Sequence, residues 1–92
     1  MKTKIECLGE VKHTTRGFEL IEFSDHYGRQ CSLQMSSLAV YEKPGISAVW
    51  LGCEKARSDP KIPPRMHLNR KQVAGLIAHL KSWLNNDTFK YD

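Results

Sequence analysis

The sequence predicts a small α+β fold: an antiparallel sheet of three to five strands, arranged as a hairpin or meander and packed by one C-terminal amphipathic helix. Three observations predict it. Val73, Leu76, Ile77, Leu80, Trp83 and Leu84 recur at the spacing of one face of a 3.6-residue helix. Two strand-like runs, residues 17–24 and 29–36, flank the turn-forming tetrapeptide Asp25-His26-Tyr27-Gly28. A third apolar run, 46–53, follows the turn signal Pro44-Gly45. The 92 residues read as a single domain without internal repeats.

Residues 1–15 form an arm or a first strand, with Lys4 to Cys7 and Gly9 to Val11 as the candidates. Strands occupy residues 16–68. In the hairpin, Asp suits the first position of a type I turn and Gly the last. If Asp25 faces Gly28, then Leu20 opposes Leu33, Phe18 opposes Met35 and Glu22 opposes Cys31 on the core face. The opposite face would carry Glu19, Ile21, Phe23, Gln30, Ser32, Gln34 and Ser36. Residues 56–64 hold three prolines and read as a loop. Residues 65–68 alternate polar and apolar and read as a short edge strand.

The helix spans 69–86. Asn69 is a good N-cap, Gln72 completes a capping box, and Leu68 can staple to Val73. Lys81 falls in the last turn, where a cation suits the helix dipole. His79 falls on the polar side. Asn85-Asn86-Asp87 is the stop, and residues 87–92 form a frayed tail.

A formal net charge of +4 favours polyanionic partners, but the basic residues are scattered rather than blocked together. There is no apolar stretch of membrane-spanning or signal-peptide length, which places the protein in the cytoplasm. Three cysteines, an odd number without a Cys-x-x-Cys pair, suit reduced thiols.

The sequence contains no enzyme motif: a phosphate loop, a zincin helix and a nucleophile elbow are all missing. Ser24-Asp25-His26 holds the residue types of a hydrolase triad, but neighbours on a turn cannot converge as a triad does. His26, Cys31, Cys53, His67 and His79 match no zinc spacing. The expectation is therefore a non-enzyme without metal or cofactor. The set that suits a ligand is strand-borne: Gln34 and Ser36 on one face, Trp50 on the third strand, and Arg65 with His67 on one face of the fourth. Amides and hydroxyls orient a ligand, Arg holds a phosphate or carboxylate, His67 hydrogen-bonds, and an indole stacks on a base.

The text F-S-D-H-Y-G-R-Q-C-S-L-Q-M-S-S-L-A (23–39), then V-W-L-G (49–52) and R-M-H-L-N-R-K-Q-V (65–73), resembles a family of short, mostly uncharacterised proteins encoded by phages and prophages. The resemblance implies an accessory protein of the host cytoplasm that counters host defence. Three functions follow as expectations. The first is capture of a nucleotide-like ligand or signal, in a pocket most easily built between subunits of a homo-oligomer. The second is inhibition of a host defence effector through exposed aromatics such as Tyr27 and Tyr41. The third is nucleic-acid binding through Arg16, Arg29, Lys55, Arg57, Lys61, Arg65, Arg70 and Lys71. The homo-oligomer itself is expected from the small size of the domain and from Ile21 and Phe23 on the second hairpin face.

Overall fold

A computed structural model describes residues 8–38, 45–53 and 65–91. Its elements are β1 (Val11–His13), β2 (Glu19–Ser24), β3 (Gln30–Met35), β4 (Val49–Cys53) and helix α1 (Arg70–Asn86). The strands form one antiparallel sheet in sequence order, a meander with α1 against one face. This is the α+β architecture the sequence predicts. The candidate strand at Lys4 to Cys7 and the loop at 56–64 lie outside the described residues, as do Tyr41, Lys55, Arg57 and Lys61.

The β2–β3 register differs from the expected one by a residue. The Gly28 amide donates to the Asp25 carbonyl (2.9 Å), and the Asp25 amide donates to the Arg29 carbonyl (3.0 Å). Gly28 sits at φ 82°, so the turn continues through a left-handed residue before the strand resumes. Asp25 therefore faces Arg29, not Gly28, and Ile21 opposes Leu33 while Phe23 opposes Cys31. A one-residue shift exchanges the two faces of a strand. Ile21 and Phe23 accordingly lie in the core with Cys31, Leu33, Met35 and Phe89, whereas Leu20 and Glu22 turn outward.

The capping box forms as expected. Asn69 Oδ1 accepts from the Gln72 amide (2.9 Å), and Gln72 Oε1 accepts from the Asn69 amide (2.8 Å). Gln72 Nε2 also donates to the Ser24 carbonyl (2.7 Å), which fixes the helix start beside the end of β2. Near the far end, Trp83 Nε1 donates to the Gly45 carbonyl in the β3–β4 connection (2.8 Å). The helix runs on to Asn86, so Lys81 is not in its last turn.

The helix also rolls away from its apolar arc. Gly75, His79 and Ser82 are its buried residues, flanked by Leu76, Leu80 and Trp83, while Val73, Ile77 and Leu84 are exposed. At 100° per residue the buried arc and the apolar arc differ by roughly 80°. The reason lies in the tail. Residues 87–91 are not frayed: Asp87 takes a left-handed conformation (φ 61°), the chain reverses, and Phe89 becomes fully buried. The Glu19 carboxylate accepts from the Phe89 amide (2.6 Å) and from Thr88 Oγ1 (2.7 Å). His79 lies in the core and not on the polar side: its Nε2 accepts from the Leu8 amide (3.2 Å) and its Nδ1 donates to the Phe89 carbonyl (2.9 Å). That pair of bonds defines the neutral tautomer with the proton on Nδ1.

Residues 65–69 pair as no strand. They are held instead by the His26 amide, which donates to the His67 carbonyl (2.6 Å).

Candidate functional site

Because α1 and the tail occupy one face of the sheet, side chains of the other face point away from the core. The register sets a row of direct neighbours across all four strands on that outer face: Lys12, Leu20, Gln34 and Trp50. The next row is Glu22, Ser32 and Gly52. Lys12 Nζ and Glu22 Oε1 form an exposed ion pair (3.3 Å) between the two rows. Trp50 is 67 % exposed, unusual for the largest apolar side chain. Gly52 has no side chain beside it, which leaves a shallow hollow lined by Ser32, Trp50, Leu51, Gly52 and Cys53.

Five residues were expected to form one ligand site, and the structure divides them. Gln34 and Trp50 are direct cross-strand partners. Ser36 lies just beyond β3 and is buried. Its hydroxyl accepts from the Leu38 amide (3.0 Å), and its backbone pairs with Ala48 and Gly45, so it is engaged in the turn. Arg65 and His67 lie at the opposite end of the sheet, against the β2–β3 turn. Five residues of extended chain separate Arg29 from Gln34, about 17 Å at the rise of a strand.

That turn carries a second polar constellation. The Asp25 side chain is fully buried and receives the Arg29 guanidinium (Nε 3.0 Å, a second nitrogen 2.7 Å) and the amides of Tyr27 (2.9 Å), Arg29 (3.0 Å) and His67 (3.2 Å). Burial alone would raise its pKa. The Arg29 side chain and the three amides outweigh that and hold it at about 2. Arg29 also donates to the Arg65 carbonyl and lies 5.5 Å from the centre of the Tyr27 ring. The His26, Tyr27 and His67 rings meet outside this pair, with centroids 4.9–5.8 Å apart. His26, Tyr27 and His67 are exposed, so His67 keeps an accessible edge, but among these rings and not beside Trp50. A four-residue turn closing on Gly28 leaves Arg29 outside it, whereas here the turn closes on Arg29. The signal was present in Asp25 and Arg29, an acid and a base four residues apart around a glycine-containing loop.

Asp25, Cys31 and Cys53 place an oxygen and two sulfurs within 4.8 Å of one another. These atoms are spent on structure. The carboxylate is saturated by Arg29 and backbone amides, and Cys31 and Cys53 are disulfide-bonded directly across β3 and β4. The bond replaces the reduced thiols expected at these two positions and removes the cysteine argument for a reducing compartment. Among the described residues no helix is long and apolar enough to cross a membrane.

The face expected to bring subunits together through Ile21 and Phe23 does not exist, since both side chains fill the protomer's own core. No protein-family model matches the chain, and no curated protein and no solved structure is significantly similar to it.

Proposed function

We propose that this is a small non-enzymatic binding protein whose outer sheet face captures a nucleotide-like ligand. The observation that carries the reading is Trp50, held two-thirds exposed directly opposite Gln34 on the outer face of the sheet. A flat indole offers any nucleobase a stacking surface, and an adjacent amide offers both donor and acceptor to a base edge. Ser32, beside Gly52, adds a hydroxyl at the rim of the hollow. The net charge of +4 suits a phosphorylated ligand. The resemblance to phage proteins supports a role in countering host defence, in the host cytoplasm, by removing a nucleotide signal.

The test is calorimetry against cyclic and ADP-ribose-derived nucleotides. Stacking of one base is worth about 1–3 kcal/mol, so Trp50→Ala should weaken binding by roughly 5- to 150-fold without a change in melting temperature. Gln34→Ala should change which base is preferred. A wild-type protein that binds nothing across the panel, or a Trp50→Ala protein that binds equally well, removes the reading.

The rings at the β2–β3 turn favour a second reading, inhibition of an effector protein. An exposed tyrosine flanked by two histidines and backed by arginine has the composition of an interface anchor. Recovery of one stoichiometric host protein by the wild type, lost in Tyr27→Ala, separates this from nucleotide capture. Direct nucleic-acid binding, the third possibility, would show an affinity that falls steeply with salt.

A further inference from the structure

We infer that strand β4 is a self-pairing edge, and that two copies of this chain join there antiparallel about a two-fold axis through Leu51, making one continuous sheet.

Cys31 and Cys53 are direct partners with Cα atoms 4.0 Å apart, the close spacing of a non-hydrogen-bonded pair. Such pairs alternate with hydrogen-bonded ones, so Gly52 and Trp50 exchange their bonds with β3. The Ser36 amide donating to the Ala48 carbonyl (3.0 Å) continues the same alternation. The amides and carbonyls of Val49, Leu51 and Cys53 therefore point away from β3. Among the described residues no strand pairs with that edge.

Edge strands are ordinarily protected by charge, proline or a bulge. Residues 45–53 contain no charge and no proline, and the strand is regular. Trp50 on the outer face is 67 % exposed and Leu51 on the inner face 40 % exposed. A neutral apolar edge also lets two copies that each carry a charge of +4 approach without opposing like charges along the seam.

The strand is complementary to itself. With the axis at Leu51 every residue of β4 pairs with another residue of β4, whereas any shift in register leaves an end residue outside the seam. In this register Leu51 faces the partner's Leu51 and Val49 faces the partner's Cys53. These are the residues whose backbone groups point away from β3 and meet no strand among the described residues, and each such pair can exchange both hydrogen bonds. Trp50 then stands opposite the partner's Gly52 in a non-hydrogen-bonded pair, where side chains crowd most. The glycine supplies the space. Nothing lies within 4 Å of a Cβ built at Gly52, and the hollow beside it, lined by Ser32, Leu51 and Cys53, receives the partner's indole. Leu51 of each copy extends the inner row of Val11, Ile21 and Leu33 across the seam. A five-residue seam makes a small interface, and the dimer should accordingly be of micromolar strength.

The dimer does not rest on nucleotide capture; it fills the hollow beside Gly52 with the partner's Trp50, so a ligand of the outer face would meet Gln34 and the two indoles rather than the hollow itself. Sedimentation equilibrium from low to high micromolar concentration tests it. The wild type should move from monomer to dimer mass. Gly52→Glu has room within its own protomer, yet it sets a charge on the edge against the partner's Trp50; dimerisation should weaken at least about tenfold. Leu51→Pro removes an amide that β3 does not use and should leave a monomer with unchanged circular dichroism. A wild-type monomer at high micromolar concentration overturns the inference and makes the edge available to a strand of another protein. A dimer that survives Gly52→Glu overturns it as well, because the seam then lies elsewhere.

Discussion

Asp25 connects the hairpin turn to the segment that leads into the helix, through one carboxylate with five hydrogen bonds. Its pKa is lowered from 3.8 to about 2 in the folded protein. A depressed folded-state value contributes stability that is present above the unfolded pKa and lost as the pH falls through the folded one. At about 1.4 kcal/mol per unit, the contribution is about 2 kcal/mol above pH 4, disappearing toward pH 2. Urea unfolding across that window should show the loss in the wild type and a flatter profile in Asp25→Asn. At neutral pH, Asp25→Asn should cost about 3 kcal/mol because it leaves the guanidinium, itself nearly buried, without its carboxylate. His79 is the second residue of this kind. Replacing it with Leu keeps the volume but strands the Leu8 amide and the Phe89 carbonyl. A loss of about 2–6 kcal/mol in stability is expected, at about 1–3 kcal/mol per orphaned group.

At the scale of elements, the helix was legible in its start and not in its roll. The capping box is a local contract among Asn69, Gln72 and two amides, so neighbouring residues suffice to specify it. The roll depends on Phe89, which arrives from outside the helix and claims the place beside His79. Periodicity cannot register such a competitor, and it assigned Ile77 and Leu84 to the core and His79 to solvent. The hairpin shows the same limit. Alternation located both strands, but the face that is buried turned on whether one glycine ends the turn or adds a residue to it. The consequence can be measured by chemical denaturation. Phe89→Ala should cost about 3–5 kcal/mol, whereas Ile77→Ala, at a position 58 % exposed, should cost under about 1 kcal/mol. Equal effects would mean that the helix sits as its periodicity suggests.

For the molecule as a whole, the sequence carried the fold class because strand and helix periods differ so plainly. It carried the candidate site in part. Gln34 and Trp50 alternate correctly on their own strands, and the register makes them neighbours. Arg65 and His67 join them only if 65–68 lies alongside as a strand; hydrogen bonds with the His26 amide, the Arg29 guanidinium and the Asp25 carboxylate draw the segment to the opposite end of the sheet. Long-range placement of this kind is set by buried charge, which a strand pattern does not encode. The Cys31–Cys53 bond closes a loop with a sequence separation of 22. Chain entropy assigns such a loop about 3 kcal/mol, so reduction should lower the denaturation midpoint, and Cys31→Ser should reproduce that loss without reductant. A Cys31→Ser protein as stable as the oxidised parent would show that the bond does not constrain the unfolded chain.

The tail that lodges Phe89 also sets an order of events during synthesis. Glu19 holds residues that the chain supplies 69 and 70 positions later. The meander can pair strand by strand as it emerges, since each strand bonds to the one before it. Its inner face, however, stays incomplete until Phe89 is delivered. A chain stopped at Asn86 should consequently expose Ile21, Phe23 and Leu33 to chaperones and proteases, and addition of residues 87–91 should end that exposure in one step.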